Sequence, residues 1–303
     1  MKMSLPVLAA GLAMPCLSLG ANAQEAMPSQ WVPFAEARIN HEFEADIDSG
    51  GAFDVTRAQV QGGLNYASSR RDSIGFGLRY DYNSYGFDNV PAIGALHPWD
   101  DVEEFAFAVP YRWGPTENWD VLVVASVASN VEEGADFDDG VTGTLIAGAS
   151  YKVSGDLKLG AGLGVSSEIE DDVSFFPLLM IDWQMTQSLT LSTRGASRVV
   201  DGPQATLRWQ ADDAWALALG AGYESFRFRL DDSGAAPGGV GQEEAFPVFA
   251  SVTYGNPRAF EVFAFGGYKL GGELTLENAS GTTVYASDYD EAPFVGAGLR
   301  YNW

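Results

Sequence analysis

Large apolar residues recur on every second position along most of this chain. Phe105, Phe107, Val109, Tyr111 and Trp113 are interleaved with Ala106, Ala108, Pro110 and Arg112. Ile74, Phe76, Leu78 and Tyr80 alternate with Gly75, Gly77 and Arg79. Leu157, Leu159, Ala161, Leu163 and Val165 alternate with Lys158, Gly160, Gly162 and Gly164. Trp215, Leu217, Leu219, Ala221 and Tyr223 repeat the pattern against small residues and Glu224. A period of two assigns one sheet face to each parity and predicts strands.

A soluble β-sandwich also alternates, with its large residues in a core. The turns argue for lipid instead. Tyr66 precedes 68-SSRRD-72, Tyr111 and Trp113 precede 114-GPTEN-118, and Trp119 follows it. Tyr151, Trp183, Trp209 and Tyr254 each precede another short turn, Trp215 follows one, and Tyr301 and Trp303 end the chain. Amphipathic aromatics held at one level are what a membrane–water interface selects. The intervening connections are longer and acidic: 86-GFDNVPAIGALHPWDDVEE-104, 131-VEEGADFDDG-140, 168-EIEDD-172, 231-DDSGAAPGGVGQEE-244 and 278-NASGTTVYASDYDE-291. Short turns on one side and long loops on the other predict a closed transmembrane barrel with its short turns in the periplasm.

The pattern predicts strands near 35–47, 53–66, 73–84, 101–113, 118–130, 140–152, 156–167, 173–184, 188–196, 203–210, 213–230, 244–255, 258–275 and 288–303. That is an all-β, closed antiparallel barrel of about 14 strands, or 12 if the short pair 188–196 and 203–210 is dropped. An even number returns both termini to one side. In hydrocarbon an unpaired backbone N–H or C=O costs several kcal/mol, so the first strand must pair with the last. Near Ser225 the large residues change parity to Phe226 and Phe228. That change predicts a bulge or a strand projecting above the membrane.

Composition adjusts this picture in two ways. The formal net charge of −24 over 303 residues offers phosphate no broad basic face, so no nucleic-acid partner is expected. The N-terminus joins Lys2 to an apolar run and a small-x-small site, Ala21-Asn22-Ala23. This predicts a signal peptide over 1–23, a short lead over 24–34 and the barrel over 35–303. Cleavage there removes Cys16, the chain's one cysteine, so stability is expected from sheet closure and burial without disulfides.

The leader, the alternating strands and the final 299-LRYNW-303 resemble bacterial outer-membrane β-barrel proteins. The order of hairpins, with 98-PWDDVEEFAFAVPYRW-113, resembles a family of uncharacterised outer-membrane barrel domains. The resemblance implies an integral outer-membrane location with periplasmic termini. It also implies that the terminal strand, with its aromatic last residue, is read by the barrel-assembly machinery. It supplies no activity and no cofactor.

Chemistry is sparse. His41 and His97 are the two histidines, and His97 lies in a long loop near Asp100 and Asp101. His-Pro-Trp is expected to be a turn packed on the barrel mouth rather than part of a catalytic pair. GxSxG, His-Glu-x-x-His and cysteine pairs are absent, so no catalytic residue is assigned. The acidic runs 136–140 and 168–172 lack EF-hand spacing. Diffuse divalent bridging to lipopolysaccharide and outer-membrane lipid is expected there rather than an ordered metal site. The inward parity carries Glu42, Glu44, Arg57, Arg79, Asp81, Arg112, Asp120, Lys152, Lys158, Asp182, Arg208, Glu261, Lys269 and Arg300. Charges of both signs need water or partners, and a lumen supplies them. Arg79, Arg112, Lys152, Asp182, Arg208 and Arg300 are expected to form a network near the short-turn mouth. The inward charges either line a narrow polar channel or pair across the lumen and seal it. The many inward glycines are expected to leave room for some water unless side chains from the long loops fold inward and plug the mouth.

The leading expectation is a passive or weakly selective pore for small hydrophilic solutes. The alternatives are a non-conducting structural or surface-interaction barrel with acidic loops, and an apolar-ligand transporter. No enzyme activity is expected.

Overall fold

The computed structural model describes residues 30–93, 97–169, 173–193 and 199–303. The expected signal peptide and the start of the lead lie outside the described residues, as do parts of 168-EIEDD-172 and of the strand expected over 188–196. The strands are β1 (Gln30–Asp46), β2 (Ala52–Ala67), β3 (Ser73–Asp88), β4 (Val102–Trp113), β5 (Trp119–Glu132) and β6 (Val141–Lys152). They continue with β7 (Leu157–Ser167), β8 (Val173–Gln184), β9 (Leu189–Ser192), β10 (Gln204–Gln210) and β11 (Trp215–Gly222). The last are β12 (Glu224–Arg229), β13 (Val240–Gly255), β14 (Phe260–Glu277), β15 (Thr283–Tyr289) and β16 (Ala292–Asn302).

Neighbouring wall strands pair antiparallel in chain order from β1 to β11, then through β13, β14 and β16 back to β1. The closing register runs from Phe34 opposite Asn302 to Glu42 opposite Phe294. β12 extends β11 beyond Tyr223, and β15 precedes β16 in one excursion, so the closed wall has 14 strands. Closure leaves no open edge, which is what a sheet without water at its rim requires. β1 starts at Gln30 and so takes in the end of the expected lead.

The period-two faces survive in three dimensions. Leu78 and Leu179 are 65% and 66% exposed on the outer surface, whereas Arg79 and Asp81 are each 8% exposed inside. At the short-turn end the register sets aromatic residues directly opposite one another. Trp31 faces Tyr66, Trp119 faces Tyr151 and Trp215 faces Tyr254, with ring centroids 4.9, 5.2 and 4.7 Å apart. Such cross-strand pairs fasten one strand to the next. Tyr111, Trp113, Trp183, Trp209, Tyr301 and Trp303 are also exposed at this end, and Tyr66 is half-buried. Trp31, which lies in the expected lead, belongs to the same ring of aromatics.

Two departures shape the interior. Beyond Tyr223 the chain leaves the wall: β12 keeps its pairing with β13, but Arg229 at its end bridges in parallel to Val131 of β5. β12 therefore crosses the mouth, which accounts for the parity change near Ser225. Around it packs a buried cluster that includes Phe53, Tyr85, Trp99, Phe228, Leu274 and Tyr289. Trp99 meets Phe228 and Tyr85 edge-on at 5.1 and 5.5 Å. The second departure concerns the inward glycines. The ring of Phe249 fills the side-chain place of Gly220, Phe265 that of Gly296, and Phe263 that of Gly298. The room expected for water is taken by phenyl rings lying flat along the wall from the next strand.

Candidate functional site: an ionic constriction in the lumen

The inward parity delivers its charges to one level. Arg38 comes from β1, Arg57 and Gln59 from β2, Arg79, Asp81 and Asn83 from β3, and Glu104 from β4. Across the lumen, Glu224 comes from β12, Glu243 from β13 and Lys269 from β14. They surround a cavity of about 60 Å³, room for a few waters.

Two ionic groups meet here. In the first, Lys269 Nζ lies 2.8 Å from Glu42 Oε1, 3.0 Å from Glu243 Oε1 and 3.2 Å from Glu224 Oε2. Arg57 donates from Nε to Glu42 Oε1 at 2.8 Å and from Nη2 to Glu243 Oε2 at 2.7 Å. Tyr85 Oη donates to Glu243 Oε2 at 2.8 Å. In the second, Arg79 pairs with Asp81 at 2.8 Å and with Glu104. Arg79 Nη1 also lies 3.6 Å from Asp201 Oδ1, and Arg38 binds the other oxygen of the same carboxylate.

Asp201 belongs to no strand. It sits in the described segment 199–203, between β9 and β10, on the long-loop side of the wall. Its N–H donates to Glu224 Oε1 at 3.2 Å, and Gln204 Nε2 donates to the carbonyl of Val200 at 3.0 Å. Tyr223 N–H donates to the carbonyl of Pro203 at 3.0 Å. The segment is thus tied to the root of β12 and reaches across to β1 and β3. Burial pushes the Asp201 carboxyl up, but the Arg38 and Arg79 guanidinium groups overcome that and hold it below the usual carboxylate range. Beside it, Val200 is buried on a shelf of Phe249, Phe263, Phe265 and Phe294.

The remaining inward charges occupy other levels. Asp120 takes Lys158 Nζ at 2.6 Å and Arg112 Nη2 at 3.3 Å towards the short-turn end. Asp182 is opposite Lys158 in the register. Arg300 is buried with Glu36 at 3.5 Å, its guanidinium 5.1 Å over the Phe34 ring, and Glu261 is its register partner. Arg208 donates to Gln210 at 3.1 Å, and Lys152 is exposed. Arg79 therefore sits in the constriction and not with Arg112 at the mouth. Glu44 needs a correction: a bulge between Glu42 and Ala45 advances the register, so Ala45 is buried and Glu44 is exposed. Sequence reading passed over Glu36, Arg38, Glu104, Glu224 and Glu243, all charged. For Glu36, Arg38, Glu104 and Glu224 strand parity was the available signal, whereas Glu243 lies one residue before the strand expected over 244–255.

His41 Nδ1 lies 3.0 Å from Thr56 Oγ1 on the outer face of β1. His97 Nδ1 is 3.1 Å from Asp100 Oδ1, with both side chains exposed. Among the described residues, no group of three or more His, Cys, Asp or Glu takes a metal-holding arrangement.

No family model matches the chain, and no curated protein matches its sequence. Among solved structures, an outer-membrane channel from Pseudomonas putida F1 superposes with a TM-score of 0.52 at 9% identity, covering 96% of this chain and 100% of that one. The TodX monoaromatic hydrocarbon channel gives 0.39 at 11% identity, covering 92% and 91%. The translocator domain of the autotransporter NalP from Neisseria meningitidis gives 0.37 at 11%, covering 89% and 88%. The chain has the fold of bacterial outer-membrane β-barrels, a closed transmembrane barrel of 14 strands.

Proposed function

We propose that this protein is an outer-membrane channel whose mixed-charge lumen carries small hydrophilic solutes with weak selectivity. Its short turns and both termini face the periplasm. The observation that carries this reading is the constriction itself, where four cations meet six carboxylates around a cavity with room for a few waters. A barrel needed only as a wall gains little from so many desolvated charges, because their burial is costly even when paired. In a channel the same groups present a field to a permeant. The outer-membrane channel from Pseudomonas putida F1 shares this fold, which supports the reading at the level of fold alone.

A second reading, a non-conducting barrel, has one observation in its favour: β12 and Trp99 close the long-loop mouth with packed aromatics. Planar-bilayer recording of the refolded protein separates the two. Discrete conductance steps whose ion selectivity changes in Lys269→Met support the channel. Silence from barrels shown to be folded by heat-modifiable gel migration supports the structural reading.

A further inference from the structure

The segment 199–203 places two unlike groups side by side. Val200 is apolar and buried on four phenyl rings, while the adjacent Asp201 presents a carboxylate to two guanidinium groups. The two surfaces they touch are continuous. Arg38 of β1 is the register partner of Gly298 on β16, and the Phe263 ring lies in the side-chain place of that glycine. Phe265 is placed likewise over Gly296, opposite Asn40. The wall therefore offers an aromatic shelf whose edge meets an arginine pair. Both surfaces are covered by residues that no strand pairing requires to be there. Arginine forks match carboxylates, and flat rings match aryl or alkyl groups.

We propose that this surface is a binding subsite for a monocarboxylate carried on a compact apolar body, such as an aryl or short alkyl carboxylate. The chain's own Val200-Asp201 occupies it as an internal stand-in. The carboxylate replaces Asp201 between Arg38 and Arg79, and the apolar body replaces Val200 on Phe249, Phe263, Phe265 and Phe294. This names the solute class of the proposed channel and rests on that reading only for the route to the site.

The test uses the refolded full-length protein in neutral detergent with benzoate as probe, followed by isothermal titration calorimetry. Val200→Ala combined with Asp201→Ala vacates both surfaces and is expected to bind benzoate about tenfold or more tightly than the parent. Acetate, which lacks the apolar body, and benzyl alcohol, which lacks the charge, are each expected to show a smaller gain. Adding Arg79→Gln is expected to remove the benzoate gain. No gain in a barrel that migrates as folded overturns the proposal. So does an equal gain for benzyl alcohol, or a gain that survives Arg79→Gln. Bilayer recording of the same variant separates the two readings. Benzoate binding without current keeps the subsite and rejects the channel. Current that benzoate neither blocks nor shifts, with no binding, keeps the channel and rejects the subsite.

Discussion

Gly220→Ala probes the packing of the lumen at the point where it is easiest to quantify. Gly220 faces Phe249 directly across the β11–β13 ladder. A Cβ built there stands 2.8 and 2.9 Å from the two Cε atoms of the Phe249 ring, and its close neighbours are all atoms of that ring. The ring's Cζ stands nearer still, and ordinary contact begins near 3.4 Å, so the ring must withdraw by about 1 Å. It has little slack, because Val200, Phe263, Phe265 and Phe294 pack around it. Overpacking of this kind costs about 1–3 kcal/mol. Replacing a strand glycine by alanine returns roughly 0.5–1 kcal/mol of backbone entropy. A net loss of about 0–2.5 kcal/mol, centred near 1 kcal/mol, follows from those two ranges. Phe249→Leu alone, a partial truncation, costs roughly 1–2 kcal/mol. Because it also removes the clashing ring edge, the double variant is expected to fall short of additivity by about 1 kcal/mol. Urea midpoints by tryptophan fluorescence in neutral detergent measure all three. Strict additivity, or a Gly220→Ala midpoint equal to or above the parent's, refutes a ring-filled lumen and restores the water-filled one that the glycine content alone suggests.

Two further outcomes follow from the same geometry. Asp201 titrates below the usual carboxylate range. Its pairing with Arg38 and Arg79 is therefore fully present above the ordinary carboxylate pKa near 4 and is lost only as pH falls through the lowered value. The part of any conductance or benzoate affinity that Asp201 itself contributes is expected to stay constant between pH 7 and pH 5, so Asp201→Asn is expected to have the same effect at both. A transition in that window would assign control to a different group. At the other end, Trp303 is exposed beside Tyr301 with ring centroids 4.6 Å apart, and its backbone N–H donates to the carbonyl of Pro33 at 3.1 Å across the closing seam. Trp303→Ala is expected to reduce assembled barrel in outer-membrane fractions, and unchanged levels count against a role for this residue in assembly.

The wall was legible in the sequence because lipid imposes a local rule. Leu78 outside and Arg79 inside are neighbours in the chain, so a period of two is enough to sort them. The even number of strands, the aromatic ring and the closing partnership of β1 with β16 follow from the same rule. The rule fails where the chain stops obeying the pleat. The bulge after Glu42 exchanges Glu44 for Ala45, and no residue in that stretch announces it. Asp201 sits in a segment without periodicity, so nothing local marks it as the partner of Arg38, which is distant in the chain. β12 carries its period-two signal intact, but that signal cannot say that the strand leaves the wall for β5. The glycines were misread for a related reason. Sequence shows the missing side chain, and only the register shows that Phe249, Phe263 and Phe265 lie over the gaps.

The arrangement of glycine and phenylalanine also bears on how the constriction holds its shape. Charged side chains in a wide lumen have solvent on most sides and many rotamers, and ordering them costs up to about 2 kcal/mol each. Here the rings over Gly220, Gly296 and Gly298 narrow one side of the barrel. That leaves Arg38 and the 199–203 segment facing β2, β3 and β4 at ion-pair distance. Lys269 is consequently in reach of three carboxylates from β1, β12 and β13 at once. A network in which each cation serves several partners spreads its ordering cost and keeps its geometry when one pair exchanges. In the proposed channel, that property would let another carboxylate take the place of Asp201 between Arg38 and Arg79 without collapse of the groups around it. An apolar seal of equal volume would fill the barrel as well, but it would offer a permeant anion nothing to exchange with.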